Sequence, residues 1–361
     1  MNLSAPSAPA TALFVHHGRT GAFIRLSLLN LVLNIITLSL WRFWGKTRVR
    51  RQLWAGTAAW GDTAEYTGTG RELFLGFLVV TIAVLMPVMI AIGAAQTAVE
   101  SGQTWAAGVI VAIQVLAVFL AFAGLYRARR YQLSRTVWRG IRAGQGGEAW
   151  RYGLMALGLG VATLLSLGWA YPWAEMTLAR YRLNHTLLGE TRFVCAARAR
   201  PLYGRYAVLW ACAAMVAALA LLVARPFADV LATDPADRAL AATGPLLVFL
   251  AGGAVLLALP YAWYRAGFMR QLAAHTSFAE AHFALEVPTG RLIRLALGNW
   301  LIGTLSLGIL RPWAALRTFR FACRHLRTSG EPDWSRIHQG AALGGRTGEG
   351  LAAVFDGAGA F

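Results

Sequence analysis

Charge is the scarcest commodity in this 361-residue chain: 14% of residues carry one, and 16 acidic residues stand against 34 basic ones, a net of +18. So few charges exclude a disordered polyelectrolyte, and the absence of a G-X-Y period or of sustained heptads excludes collagen and coiled coil. Lysine is all but missing, since Lys46 is the single one among the basic residues and the rest are arginine. Cysteine is rare as well: Cys195, Cys212 and Cys323 lie far apart with no C-x-x-C spacing, which supports neither a disulfide framework nor a metal site. His16 and His17 are adjacent rather than one helical turn apart, so they do not present two imidazoles on one face. Walker A, H-E-x-x-H, G-x-S-x-G and dinucleotide-binding glycine patterns are missing. The expectation is therefore no catalytic residue, no cofactor and no metal. The first basic residue, Arg19, follows a Ser/Ala/Pro-rich start, so a cleavable signal peptide is not expected.

What the chain has in abundance is apolar surface, with 57% hydrophobic residues and a mean hydropathy of +0.51. That composition is too apolar for a soluble domain and predicts a polytopic helical membrane protein. A basic excess on such a chain points to anionic phospholipids as partners, with no nucleic acid; oligomeric state stays open. Uncharged windows at 73–99, 101–126, 206–224 and 239–264 are each long enough to span a bilayer, as is 152–174, whereas 26–41 and 295–310 are marginal. Pro87 is expected to kink its helix. If every window crossed, the basic stretches 174–205 and 265–294 would lie outside, against the positive-inside rule. If the first, fourth and seventh segments enter and leave on one side, Arg225 and Arg238 alone of the 34 basic residues face outward.

The expected fold class is accordingly all-α, with two transmembrane hairpins and three repeated re-entrant or short membrane elements. The segments are a polar start (1–20), element one with its basic flank (21–72), hairpin one (73–125), element two (126–205), hairpin two (206–264), element three (265–336) and a Gly/Ala-rich tail (337–361). The elements share a pattern: Thr37-Leu38-Ser39 before Phe43-Trp44, Ser166-Leu167-Gly168 before Pro172-Trp173, and Ser306-Leu307-Gly308 before Pro312-Trp313. An arginine follows each tryptophan by seven residues, at Arg51, Arg180 and Arg320. A shorter motif, Arg130-Tyr131-Gln132-Leu133-Ser134-Arg135-Thr136, recurs as Arg180-Tyr181-Arg182-Leu183-Asn184-His185-Thr186. Trp44, Trp173 and Trp313 are expected to anchor at the membrane interface. Arg51, Arg130, Arg135, Arg180, Arg182, His185 and Arg320 are candidate contacts to lipid headgroups, because arginine donates bidentate hydrogen bonds to phosphate. Asn30, Asn34, Ser166, Asn299 and Ser306 are candidates for a polar pathway, with interhelical hydrogen bonding as the competing use.

The Ser-Leu-Gly-x-x-x-Pro-Trp copies at 166–173 and 306–313, with Arg-Tyr-x-Leu-Asn-His-Thr at 180–186 and Gly348-Glu349-Gly350-Leu351-Ala352, resemble the YjgN-like family of bacterial inner-membrane proteins. The resemblance runs from about residue 14 to 356 and departs in the first copy, where Thr37-Leu38-Ser39 and Phe43 replace Ser-Leu-Gly and Pro. It implies a multi-pass protein of the bacterial inner membrane with basic loops and C-terminus cytoplasmic, and supplies no reaction or substrate. The residues themselves suggest a transporter or channel-like protein on a parallel repeat, or else an anionic-lipid-binding or membrane-organising protein; an enzyme is less expected.

Single cysteines at Gln103, Glu190, Asp234, Glu280 and Gly340, in a background without native cysteine, test the topology. Labelling from the periplasm is expected at 103 and 234 only, and labelling at 190 or 280 would make the short elements ordinary spans.

Overall fold

In a computed structural model, residues 11–12, 14–231 and 235–339 are described. The expected polar start up to residue 10 and the tail from 340 lie outside them. The N-terminal segment carries two strands, β1 (Thr11–Ala12) and β2 (Phe14–His16), before a helix pair, α1 (Thr20–Ile36) and α2 (Arg42–Ala55). A β-hairpin follows, β3 (Thr57–Ala59) and β4 (Asp62–Tyr66). The succession then recurs with longer helices: α3 (Gly70–Val80), a π turn at Thr81–Leu85, α4 (Met86–Glu100) and α5 (Trp105–Ser134) lead to β5 (Thr136–Trp138) and β6 (Ile141–Gln145). A short pair, α6 (Ala149–Leu165) and α7 (Tyr171–Asn184), leads to β7 (Thr186–Leu188) and β8 (Thr191–Cys195). A long pair, α8 (Tyr203–Leu231) and α9 (Pro235–Ala274), leads to β9 (Thr276–Phe278) and β10 (Ala281–Leu285). The last pair, α10 (Thr289–Leu305) and α11 (Arg311–His325), runs into β11 (Leu326–Ser329).

All strands join one antiparallel sheet in the order β1-β11-β10-β9-β8-β7-β6-β5-β4-β3-β2. Because β1 pairs with β11 and β2 with β3, the N-terminal segment bridges both ends, and the sheet is a nearly closed ring. This corrects the all-α expectation. The strands run two to five residues, too short for an apolar alternation to be seen, and they lie inside basic stretches that read as juxtamembrane helix. Register sorts the faces: Trp138 pairs with Ile141, Phe193 with Phe278 and Phe283 with Thr328 on one side, whereas Arg142, Arg192 and Arg327 lie opposite Val137, Leu187 and Ala284 on the other. Trp60 and Trp138, at the ends of neighbouring hairpins, pack tilted or edge-on with Trp334 from the turn after β11, with centroids 4.5–5.9 Å apart. The segment through Trp334 also accepts the Glu190 N–H on the His338 carbonyl.

Each helix pair leaves this sheet and returns to it. Among the described residues three helical stretches, 70–100, 105–134 and 200–222, are long and apolar enough to cross a membrane. The fourth expected window, 239–264, runs along α9. The π turn at 81–85 sits just before Pro87, where the wider turn relieves the clash of the proline ring with the preceding carbonyls, so the stretch continues past it. Buried side chains concentrate where helices meet sheet, as with Tyr126, Tyr264, Phe23 and Phe43, while much of the apolar surface further out is open.

The three short pairs turn identically. Ser39, Gly168 and Gly308 lie at φ +70°, +89° and +83°, each N–H bonded to the carbonyl five residues back. That is a Schellman-type closure, and it leaves Leu38, Leu167 and Leu307 at the tips 89%, 80% and 91% exposed. Thr37, Ser166 and Ser306 then accept the N–H of Trp41, Ala170 and Leu310, starting the second helix of each pair.

Two outcomes follow. Ser39 holds a left-handed conformation that glycine adopts without strain, so Ser39→Gly is expected to raise stability by about 1 kcal/mol, read as a higher Tm in detergent. A lower Tm would mean that the serine side chain matters more than the strain. The second concerns ring closure. Thr57 Oγ1 donates to the Leu53 carbonyl, so the His16 Nδ1–H donates to Thr57 across β2 and β3, at 2.8 Å. Burial, then the Arg320 guanidinium and His17, hold the His16 imidazole below its ordinary pKa. The unfolded chain therefore binds the proton more readily, and closure weakens as pH falls through and below the ordinary imidazole range. The protection factor at 14–16, exchange referred to the intrinsic rate at each pH, should fall on acidification and lose that dependence in His16→Gln; protection that ignores pH in the wild type would refute it.

Candidate functional site

The ring closes where the first and last helix pairs meet, since α1 packs against α11. Phe23, Val49, Leu53, Ala315 and Leu316 form the core of this seam, flanked by Leu26, Trp54, Trp313 and Phe319. Above that core the helices part around a cavity of about 830 Å³. Arg42, Lys46, Arg50 and Arg311 line it with Asn30, Asn34, Asn299 and Thr318, and Leu31, Leu307 and Ile309 supply apolar wall. No carboxylate is among the described lining residues.

Helical spacing explains the composition. Seven residues before Thr37, Ser166 and Ser306 stand Asn30, Leu159 and Asn299; five after them stand Arg42, Tyr171 and Arg311. The seam therefore places both asparagines and both arginines in the lining of one cavity, whereas α6 and α7 carry a leucine and a tyrosine at the same places. Leu159 is buried, and Tyr171 packs on Tyr206 at 5.8 Å. Gly45 admits the close approach of α2 to α1, because a Cβ there would stand 3.2 Å from the Asn30 amide.

The individual groups are oriented. Asn30 Oδ1 accepts the Trp41 indole N–H at 3.2 Å. Thr318 donates its hydroxyl to the Ala314 carbonyl, so its oxygen accepts from Asn299 Nδ2 at 2.9 Å. That fixes the amide and leaves Asn299 Oδ1 buried without a partner, as is Asn34 Oδ1. Arg42 lies over the Phe43 and Phe77 rings at 4.8 and 4.9 Å, and Arg50 donates to the Tyr66 hydroxyl. Arg311 is exposed at the start of α11. A set of cations, amides and a hydroxyl on an apolar wall can hold an oxyanion; nothing in it offers a nucleophile with a base.

Of the polar-pathway candidates, Asn30, Asn34 and Asn299 converge here. Ser306 ends α10 beside the cavity and Ser166 lies away from it, in the turn from α6 to α7. The headgroup candidates are distributed around the ring instead. Arg51 donates to the Gly68 carbonyl at 2.8 Å, Arg130 to those of Gly146 and Gly147, and Arg320 to the Gly18 carbonyl and the Thr20 hydroxyl. Arg270, at the matching place, reaches Thr289 at 3.5 Å. Each clamps the loop that leaves a strand and enters the next helix. Arg180 occupies the same column of α7, half-buried. Arg135 pairs with Glu72 at 2.9 Å, and Arg182 stands near the end of α7. His185 caps its helix, Nδ1 against the Tyr181 carbonyl at 2.7 Å, as His275 and His325 do on Gln271 and Phe321. Trp44 stacks on Trp41 and Phe74, Trp313 borders the seam core, and Trp173 is half exposed. Sequence reasoning missed Arg42, Lys46, Arg50, Arg311 and Thr318. The available signal was the lone lysine, together with arginine at 42 and 311 in the column where the middle copy has Tyr171.

No curated protein and no solved structure matches this chain. Residues 11–354 match the family described as bacterial protein of unknown function, DUF898. With nearly its whole described length inside that match, the chain belongs to the DUF898, or YjgN-like, family of bacterial proteins.

Proposed function

We propose that the protein is a multi-pass protein of the bacterial inner membrane, built on an internal repeat, that holds an anionic phospholipid at the seam between its first and last helix pairs. The observation that carries this reading is the cavity lining, in which the exposed guanidinium groups of Arg42 and Arg311 stand with three asparagines beside an apolar wall. The apolar side of the ligand has a place as well, because Leu31, Leu307 and Ile309 border the cavity and the Leu38 and Leu307 tips are open. Long apolar helices and the recurring succession of helix pair and hairpin support the membrane and repeat parts of the reading.

A transporter or channel-like role would use the same cavity as its binding site, and the convergence of Asn30, Asn34 and Asn299 favours it. A continuous passage along all three short pairs has less support, because Ser166 lies apart and its hydroxyl is used in the helix turn.

Native mass spectrometry tests the binding. The variant Arg42→Gln/Lys46→Gln/Arg311→Gln is expected to retain phosphatidylglycerol about tenfold less than wild type, because contacts from exposed guanidinium groups are screened by solvent and each contributes about 1 kcal/mol or less. A control with equal charge loss on exposed residues, Arg192→Gln/Arg198→Gln/Arg200→Gln, should retain it fully. Equal retention in the two variants would overturn the proposal.

A further inference from the structure

Resting on the anionic-lipid reading of the seam cavity, we infer that the cavity selects a headgroup bearing hydroxyls next to its phosphate, a phosphoglycerol rather than a bare or alkyl-capped phosphodiester. The cations account for a phosphate but not for the asparagines. Asn299 Oδ1 and Asn34 Oδ1 are buried, hydrogen-bond acceptors without a partner, in the wall of a cationic cavity. For Asn299 the assignment of oxygen and nitrogen follows from the Ala314 carbonyl, which lies 3.3 Å from Nδ2 and can only accept, with Thr318 Oγ1 accepting beside it. An acceptor that is buried and unmade costs about 1–3 kcal/mol, so the matching ligand carries donors.

A phosphodiester at neutral pH offers acceptors alone. Ammonium headgroups carry donors, but they would bring positive charge among Arg42, Lys46, Arg50 and Arg311. Hydroxyls donate without charge, and glycerol places two of them within a few bonds of the phosphate. Asn30 adds to the set: with the Trp41 indole N–H turned to Oδ1, the amide N–H donors of Asn30 suit a phosphate or hydroxyl oxygen. The apolar wall of Leu31, Leu307 and Ile309 favours a lipid over a soluble phosphoglycerol.

The test compares phosphatidylglycerol with phosphatidylmethanol, equal in charge and lacking the hydroxyls, each competed against phosphatidylcholine on the full-length protein in nanodiscs. Wild type is expected to prefer phosphatidylglycerol over phosphatidylmethanol by about tenfold, the low end of what an unmade buried acceptor costs. Asn299→Leu and, separately, Asn34→Leu should each reduce that ratio toward one while keeping the preference of both anionic lipids over phosphatidylcholine. Equal binding of the two anionic lipids by wild type would mean that water satisfies the asparagines, and would overturn the headgroup inference while leaving anionic binding standing. Discrimination that survives in both variants would overturn it too. No preference over phosphatidylcholine would remove the anionic reading and this inference together. Displacement of the lipid by millimolar glycerol 3-phosphate would make the ligand a soluble phosphoglycerol and overturn the lipid assignment.

Discussion

Backbone pairing between consecutive hairpins is the constraint on which the molecule depends. A short strand satisfies its own N–H and C=O groups only with a neighbour on each side, and none of these strands exceeds five residues. In the ring every hairpin lends its outer edge to the next, and the N-terminal segment supplies the missing edge between β11 and β3. The helix pairs inherit their arrangement from that circle: each starts and ends at the sheet, and the arginine clamps at Arg51, Arg130, Arg270 and Arg320 pin the loops where strand becomes helix. Charge-assisted bonds of this kind contribute about 1.5–3 kcal/mol apiece, which suits positions where the chain must change direction at fixed geometry.

Seen from the sequence, the helices and their turns were readable because they rest on local chemistry. Thr37, Ser166 and Ser306 announce the turns, the long window at 73–99 lies within the helical stretch 70–100, and the window at 101–126 enters the helix 105–134 after four residues of turn. The same spacing that marked Arg130 and Arg180 as a motif was the end of a helix running into a first strand, with Thr136 and Thr186 opening β5 and β7. What stayed hidden was the sheet, whose strands pair through backbone and carry no apolar run of their own. An arginine-rich stretch reads as a membrane-surface helix until its partner strand is known, and for β1 that partner lies more than 300 residues away.

The seam cavity was half legible for a related reason. Asparagines in apolar helices stand out against their neighbours, so Asn30, Asn34 and Asn299 could be picked, but nothing local says that α1 and α10 meet. The cations beside them were lost in the general excess of arginine. The contrast with the middle pair is instructive: Leu159 and Tyr171 occupy the corresponding places, and there the same scaffold makes a packed interior, with Tyr171 against Tyr206 and Tyr264. The asparagine and arginine columns are thus filled at the one junction where two short pairs are neighbours, while every other junction sets a short pair against a long one.

The bridging N-terminal segment also sets an order of events. Residues 11–12 and 14–16 leave the ribosome before either of the strands they pair with, and one of those, β11, follows every other strand among the described residues. Until then β2 can dock only on β3, and the growing sheet is an open arc with a bare edge that moves forward as each hairpin is added. Closure joins the oldest and youngest parts of the chain, and the seam cavity, framed by the helices on either side of that joint, comes into being only at that moment. A ligand held there would meet a protein that is already complete.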